Sequence, residues 1–155
     1  MDILGIDCGK KGAFTRINPD GDILKTYDMP VQNKEVDLYA LINILEENKD
    51  CFATVEECRC IGIGSKKSMF SFGKNYAYVI MGLASLKIKY QIVSPVKWKK
   101  EFSLIKTEKS ASIQKAIQLQ PKFRSWFIKS KDGRAESYLI GLYGVRHFLA
   151  GAENK

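Results

Sequence analysis

The chain has 155 residues, 45 % of them hydrophobic, with a net charge of +8. That length suits one folded domain, and that apolar content excludes a disordered chain. No apolar run approaches a membrane span, and no basic-then-apolar leader opens the sequence, so a cytoplasmic protein without membrane contacts is expected.

Ile3-Leu4-Gly5-Ile6 reads as a buried strand ending in Asp7-Cys8-Gly9. Strand alternation puts Ile3, Gly5 and Asp7 on one face and Leu4, Ile6 and Cys8 on the other. A carboxylate ending a core strand is costly without a partner such as a metal ion, although Asp7 and Gly9 also suit a plain turn. Residues 12–18 and 23–29 read as two further strands joined by Pro19-Asp20-Gly21-Asp22, completing a three-stranded antiparallel meander. Pro30 ends it. Leu38, Leu41, Ile42 and Leu45 predict a helix from Asp37 to Asn48. Cys51 to Cys58 is a second buried strand, parallel to the first after a right-handed crossover. It carries Glu56 and Glu57, which point to opposite faces, so only one of them can join Asp7.

Residues 61–65 read as a flexible loop, and Ser68 to Leu86 as a long helix apolar on more than one face. Tyr90 to Val93 predicts a short strand stopped by Ser94-Pro95. Val96 to Phe102 begins a lysine-rich helix, and another starts near Thr107–Ser110, with Ile113, Ala116 and Ile117 inward, and ends at Pro121. Lys122 to Lys131 reads as polar, basic and mobile. The last helix runs from Asp132 to Leu149, with Leu139, Leu142, Tyr143 and Val145 inward. Residues 1–150 form a single α/β domain, and 151–155 a short tail.

Cys8, Cys51, Cys58 and Cys60 form no pair of metal-binding CxxC motifs, and the single histidine, His147, is distant in sequence. Reduced thiols, no zinc site and no catalytic role for His147 are expected. Between Lys87 and Lys131 there are 12 Lys/Arg against two acids, +10 in 45 residues. Such segregation points to a polyanion, with nucleic acid ahead of an anionic membrane surface.

Asp132 and Glu136 lie four apart at the start of the last helix and share a face. Helix capping alone accounts for such a pair. Together with an acid ending each of two parallel strands, however, they form a set that gathers at one rim of an α/β sheet. Four converging carboxylates repel one another, and hard divalent cations such as Mg²⁺ or Mn²⁺ relieve the repulsion.

With these pieces in order, the chain resembles the phage kind of RuvC-type Holliday junction resolvases, within the RNase H-like nucleases. The resemblance rests on Ile6-Asp7-x-Gly9, Val55-Glu56, Ser68-x-Phe70-Ser71-Phe72-Gly73, Val93-Ser-Pro-x-x-Trp98-Lys99 and Asp132-Gly-Arg-Ala-Glu136. It implies a mixed five-stranded sheet flanked by helices. It also implies that Asp7, Glu56, Asp132 and Glu136 hold two Mg²⁺ or Mn²⁺ ions for nicking branched DNA, with Asp7 bridging both. By the same resemblance, Lys97, Lys99, Lys100 and Lys109 contact DNA; Arg59, Lys66 and Lys67 are expected to contact it as well. A homodimer is expected to form through Phe70, Phe72, Tyr76 and Ile80. Two departures from the family pattern are Arg59, where bacterial members carry an aromatic wedge, and Ala77, where phage members carry Gly. They point to a looser selectivity that includes forks and flaps. A branched-DNA-binding protein without cleavage and an RNA–DNA hybrid nuclease are the alternatives. Nothing in the residues identifies a helicase partner.

Overall fold

The computed structural model describes residues 1–59, 65–108 and 110–149. The predicted loop at 61–65 lies outside the described residues except for Ser65, as do Cys60, Lys109 and the 151–155 tail.

Strand β1 (Ile3–Asp7) is central and wholly buried. It pairs antiparallel with β2 (Ala13–Ile17), which pairs antiparallel with β3 (Ile23–Asp28). The Pro19–Asp22 turn closes through Gly21 N–H to Asn18 O at 3.0 Å and Asp22 N–H to the Asn18 side chain at 2.8 Å. A two-stranded hairpin, β4 (Val31–Gln32) and β5 (Glu35–Val36), follows. Its turn residues Asn33 and Lys34 have φ of 50° and 66°, the left-handed geometry that closes a two-residue hairpin. Pro30 hides this hairpin from a pattern reading, which ends the meander there.

Helix α1 (Leu38–Glu47) is capped by Asp37, whose carboxylate accepts from Tyr39 N–H and Ala40 N–H. Beyond it, β6 (Phe52–Glu56) lies parallel to β1. Helix α2 (Lys66–Ser85) begins two residues earlier than its apolar pattern indicates, because Ser65 caps it by accepting from Ser68 N–H. Strand β7 (Tyr90–Val93) is parallel to β6 and passes straight into α3 (Pro95–Glu101), with Pro95 in the first turn. Helix α4 (Ser110–Leu119) and helix α5 (Asp132–Gly144) complete the regular elements, and α5 ends in a π-helical turn, Val145–Leu149. The five-stranded sheet has the order β3-β2-β1-β6-β7. No helix among the described residues is long and apolar enough to cross a membrane.

The sheet separates two cores. On one side Leu4, Ile6 and Cys8 pack with Leu41 and Leu45 of α1 and Val79 and Leu83 of α2. On the other, α5 lies across β1 and β2, and Tyr138, Leu139 and Ile140 join Trp98 of α3 and Ala116 of α4. The alternation read from β1 therefore holds, with Gly5 and Asp7 facing α5.

The structure differs from expectation in two places. First, the inward face of α5 is broader than its apolar stripe: Leu139 and Leu142 are buried and Tyr143 and Val145 pack against the core, partly covered, but Gly133, Ala135, Ser137, Tyr138 and Gly141 are buried as well. Small residues make this close seating possible and leave no trace in a hydrophobicity pattern. Second, the stretch 122–131, expected to be polar and mobile, contains two 3₁₀ turns, Pro121–Phe123 and Lys129–Lys131. It is anchored by buried Phe127, whose ring lies 5.9 Å from that of Tyr138.

A Cβ added to Gly5 would lie 2.1 Å from Ser137 O and 2.4 Å from Gly141 N, both backbone atoms. Gly5→Ala is therefore expected to cost about 3 kcal/mol or more, since neither backbone can yield. Gly73→Ala meets nothing within 4 Å on α2 and should stabilise by about 0.5–1 kcal/mol through helix propensity. Thermal melting of both variants checks the contrast.

Candidate active site

Adjacent parallel strands bring the first two acids together. Ile6 pairs with Val55, so Asp7 and Glu56 follow as the last residues of β1 and β6. Both are almost covered, at 8 % and 7 % exposure. The other two acids arrive on α5, whose start presses against the β1–β2 turn. A Cβ on Gly133 would lie 2.1 Å from Lys11 O. Glycine there lets the Asp132–Glu136 turn approach the end of β1.

Among the described residues, Asp7 and Glu56 each accept one hydrogen bond from the protein. Gly9 N–H donates to Asp7 Oδ1 at 2.9 Å. Trp98 Nε1 donates to Glu56 Oε1 at 2.8 Å, with both groups buried. Glu136, half-covered, faces the Ser112 hydroxyl at 3.5 Å. One hydrogen bond does not offset the loss of water around a carboxylate. Burial pushes the Asp7 carboxyl up to about 8, and repulsion from Glu136, Glu56 and Asp132 adds to this against the Gly9 bond. Burial likewise raises Glu56, with the Trp98 bond opposing it, Glu136 adding to it and Lys99 lowering it.

The four predicted acids are thus coupled at one rim, and Glu57 is not among them. Glu57 pairs with Arg59 at 2.6 Å. Among the described residues, no three His, Cys, Asp or Glu side chains are gathered closely enough to hold a metal ion. The donor set still suits a hard cation in its chemistry, since all four are carboxylates and two are held buried against mutual repulsion.

The cations are distributed unevenly around these acids. Lys99 is near enough to Glu56 to lower its pKa, and its ammonium lies 5.1 Å from the Trp98 ring centre. Lys97 and Lys100 line a hollow with Glu101, Tyr143 and His147 toward the other end of α5. Lys66 and Lys67 occupy the first turn of α2, where the helix dipole disfavours positive charge. Lys67 borders a cavity of about 600 Å³ that also touches Gly9, Lys10 and Phe70. Lys109 lies outside the described residues. Lys10 and Lys11, in the turn directly after Asp7, belong beside the site as well. Their position in sequence is the signal for them, hidden by the stronger charge block downstream. Trp98 belongs to a motif legible in the sequence, but its role as donor to Glu56 is not, because that bond spans 42 positions.

Of the predicted dimer residues, Phe70 is 72 % exposed. Phe72, Tyr76 and Ile80 are half-covered by the α1–α2 core. His147 pairs with Glu101 at 2.9 Å. It lies fifteen positions beyond Asp132, roughly 20 Å along a helix axis, which removes it from the acids.

No protein-family model matches the chain, and no curated protein sequence matches it. Solved structures do. The structure titled T. thermophilus RuvC in complex with Holliday junction substrate is similar over 96 % of this chain and 96 % of that chain, with a TM-score of 0.70 and 11 % identity. A second, Thermus thermophilus RuvC, is similar over 94 % of this chain and 96 % of that chain, with a TM-score of 0.66 and 12 % identity. The chain has the RNase H-like fold of RuvC. At this level of identity the likeness concerns the fold.

The raised Asp7 pKa has a direct consequence for stability. The folded chain holds this proton from the ordinary 3.8 up to about 8. Across that window it binds more protons than the unfolded chain, so stability falls as pH rises. In metal-free buffer the melting temperature is expected to drop between about pH 4 and about pH 8. Asp7→Asn should flatten that slope and melt higher than wild type at the alkaline end. An unaltered slope in the variant would show that Asp7 is not the titrating group.

Proposed function

We propose that the chain is a metal-dependent endonuclease that nicks branched DNA, Holliday junctions and also forks and flaps. The observation that carries this reading is the burial of Asp7 and Glu56 at the adjacent ends of β1 and β6, beside the close-packed start of α5 that carries Asp132 and Glu136, in a fold shared over nearly its whole length with RuvC. Isolated acids bound for structural reasons would not be buried beside one another at a cost in their pKa. The similar structure bound to a Holliday junction supports the substrate class. The charge block of +10 between Lys87 and Lys131 supports a polyanionic partner.

In this reading Asp7, Glu56, Asp132 and Glu136 would together hold two Mg²⁺ or Mn²⁺ ions. When bound, the ions supply an activated water and stabilise the attacking and leaving oxygens of the phosphodiester. The protein's own contribution is positional. The parallel ends of β1 and β6 fix Asp7 and Glu56, and the Trp98 indole orients the Glu56 carboxylate. Helix α5 delivers Asp132 and Glu136 as one rigid unit. Lys99, with Lys66, Lys67, Lys97, Lys100, Lys109 and Arg59, attracts the phosphate backbone. Two copies meeting through α2 around Phe70, Phe72, Tyr76 and Ile80 would present two such rims to one four-way junction. The cellular setting we assign is the processing of phage DNA during recombination, in a bacterial cytoplasm.

A branched-DNA-binding protein that does not cut is the second reading. The observation favouring it is that no three acids among the described residues close to chelating distance. One assay separates the two. Wild type and Asp7→Asn are incubated with a four-way junction, a fork, a flap, linear duplex and an RNA–DNA hybrid, in Mg²⁺ and in Mn²⁺. Nicking near the branch that needs metal, with a loss of at least a hundredfold in Asp7→Asn while binding persists, is expected. Binding without cleavage in either metal supports the second reading, and preference for the hybrid points to a ribonuclease.

Phosphate contacts are checked separately. Lys97→Ala should lower affinity for all DNA forms alike and reduce the slope of log affinity against log salt by about 0.9. An unchanged slope removes Lys97 from the contact set.

A further inference from the structure

The segment between α4 and α5, residues 121–131, carries Lys122, Arg124, Lys129 and Lys131 and no acid. Three aromatics, Phe123, Trp126 and Phe127, stand among these cations. They have separate positions. Phe127 is the buried anchor against Tyr138. Trp126 is 40 % exposed and is held from two sides. Phe123 meets it edge-on, with ring centres 5.5 Å apart. The Arg134 guanidinium lies 5.9 Å from the Trp126 ring centre, and Arg134 Nη1 donates to Trp126 O at 3.5 Å.

Arg134 is itself fixed. Its Nε and Nη2 donate to the two oxygens of Asp28 at 2.7 and 2.9 Å, and Lys131 pairs with the same carboxylate at 2.6 Å. Asp28 is thereby neutralised rather than opposed to a polyanion. Arg124 and Lys129 make no ion pair among the described residues. Beside the segment, a cavity of about 240 Å³ is bordered by Lys10, Lys11, Ser130 and Lys131, and by Asp28, whose carboxylate is already paired with Lys131 and Arg134. An exposed indole with a braced ring, cations without an ion pair two and three positions away in the chain, and a lysine-rich hollow beside the segment is a combination suited to unstacked bases and their phosphates. A buried core tryptophan needs none of these cations, and a solvated basic loop needs no braced indole.

We propose that Trp126 is a stacking platform for unpaired bases of single-stranded nucleic acid, with Arg124 and Lys129 on the adjoining phosphates. Arg134 and Asp28 position the platform. Arg134 follows Asp132 by two positions, on a different side of the first turn of α5, so the platform stands at the same end of the helix as the acids but not on their face. That placement relative to the cut rests on the nuclease reading, whereas the binding itself does not. The platform would favour branches that carry an unpaired arm, such as flaps and forks, over perfectly paired junctions.

The chain offers its own probe. It has two tryptophans. Trp98 is fully buried and bonded to Glu56, so a surface ligand reports through Trp126. Titration of the full chain with a short oligo(dT), without metal, should quench its fluorescence. Trp126→Phe should abolish the quenching yet keep most of the affinity, measured by the anisotropy of labelled oligo(dT). Trp126→Ala should lose about tenfold, and Arg124→Ala should weaken binding with a smaller salt slope. Melting curves establish that each variant is folded.

Wild-type chain that binds labelled oligo(dT) without quenching, or a folded Trp126→Ala with unchanged affinity, overturns the platform. So does a blue shift with vesicles of phosphatidylserine and phosphatidylcholine where oligo(dT) has no effect, which would make the surface a membrane contact. Quenching without any cleavage of branched substrates keeps the platform and rejects the nuclease reading. Cleavage without quenching does the reverse.

Discussion

The structure depends on how closely one helix can lie on one strand. Helix α5 sits on β1 with glycine meeting backbone, Gly5 under Ser137 and Gly141, and Gly133 against Lys11. No side chain fits between them. Thr15, beside Gly5 on β2, reaches up to Ser137 with hydroxyls 2.7 Å apart, so the contact has a polar tie as well as close packing. Because the helix cannot lift away, its first turn is carried onto the rim where β1 and β6 end. The position of Asp132 and Glu136 is thus set by residues that carry no charge.

That rim holds an electrostatic tension. Asp7 and Glu56 are shielded from water by the same packing that brings Glu136 toward them. Left to itself, the protein relieves this by holding a proton on Asp7. A cation would relieve it in another way, by releasing that proton, so occupancy and protonation compete for the same oxygens. The indole of Trp98 and the ammonium of Lys99 moderate the tension at Glu56 without removing it. On the proposed nuclease reading, stability and reactivity are opposed here, the pattern expected where charged groups are buried for chemistry rather than for folding.

Much of this was legible in the residues, for identifiable reasons. Asp7 and Glu56 stand out because an apolar strand ending in an acid is expensive, and α1 stands out because Leu38, Leu41, Ile42 and Leu45 recur at helical spacing. The meander follows from its turn residues. What stayed hidden has a physical pattern too. Hairpin β4–β5 is too short for periodicity and closes with Asn33-Lys34 rather than a glycine turn. The depth of α5 rests on Gly and Ser, which bury without being hydrophobic. Phe127 anchors a segment whose lysines outweigh it in any average. The Trp98–Glu56 bond joins residues that only the completed sheet brings together.

The covering of β1 by α5 also imposes an order in time. All seven strands leave the ribosome before α5 is made, at about 5–20 residues per second. Through that interval the sheet face around Gly5, Thr15 and Thr54 has no lid, and the acids of α5 do not yet exist as neighbours of Asp7. Pairing of β1 with β6, itself a distant contact, must persist uncapped until the helix docks. A polypeptide still being synthesised is therefore an unfinished sandwich with half of its carboxylates missing. Docking of the last helix closes the core and assembles the rim in a single event.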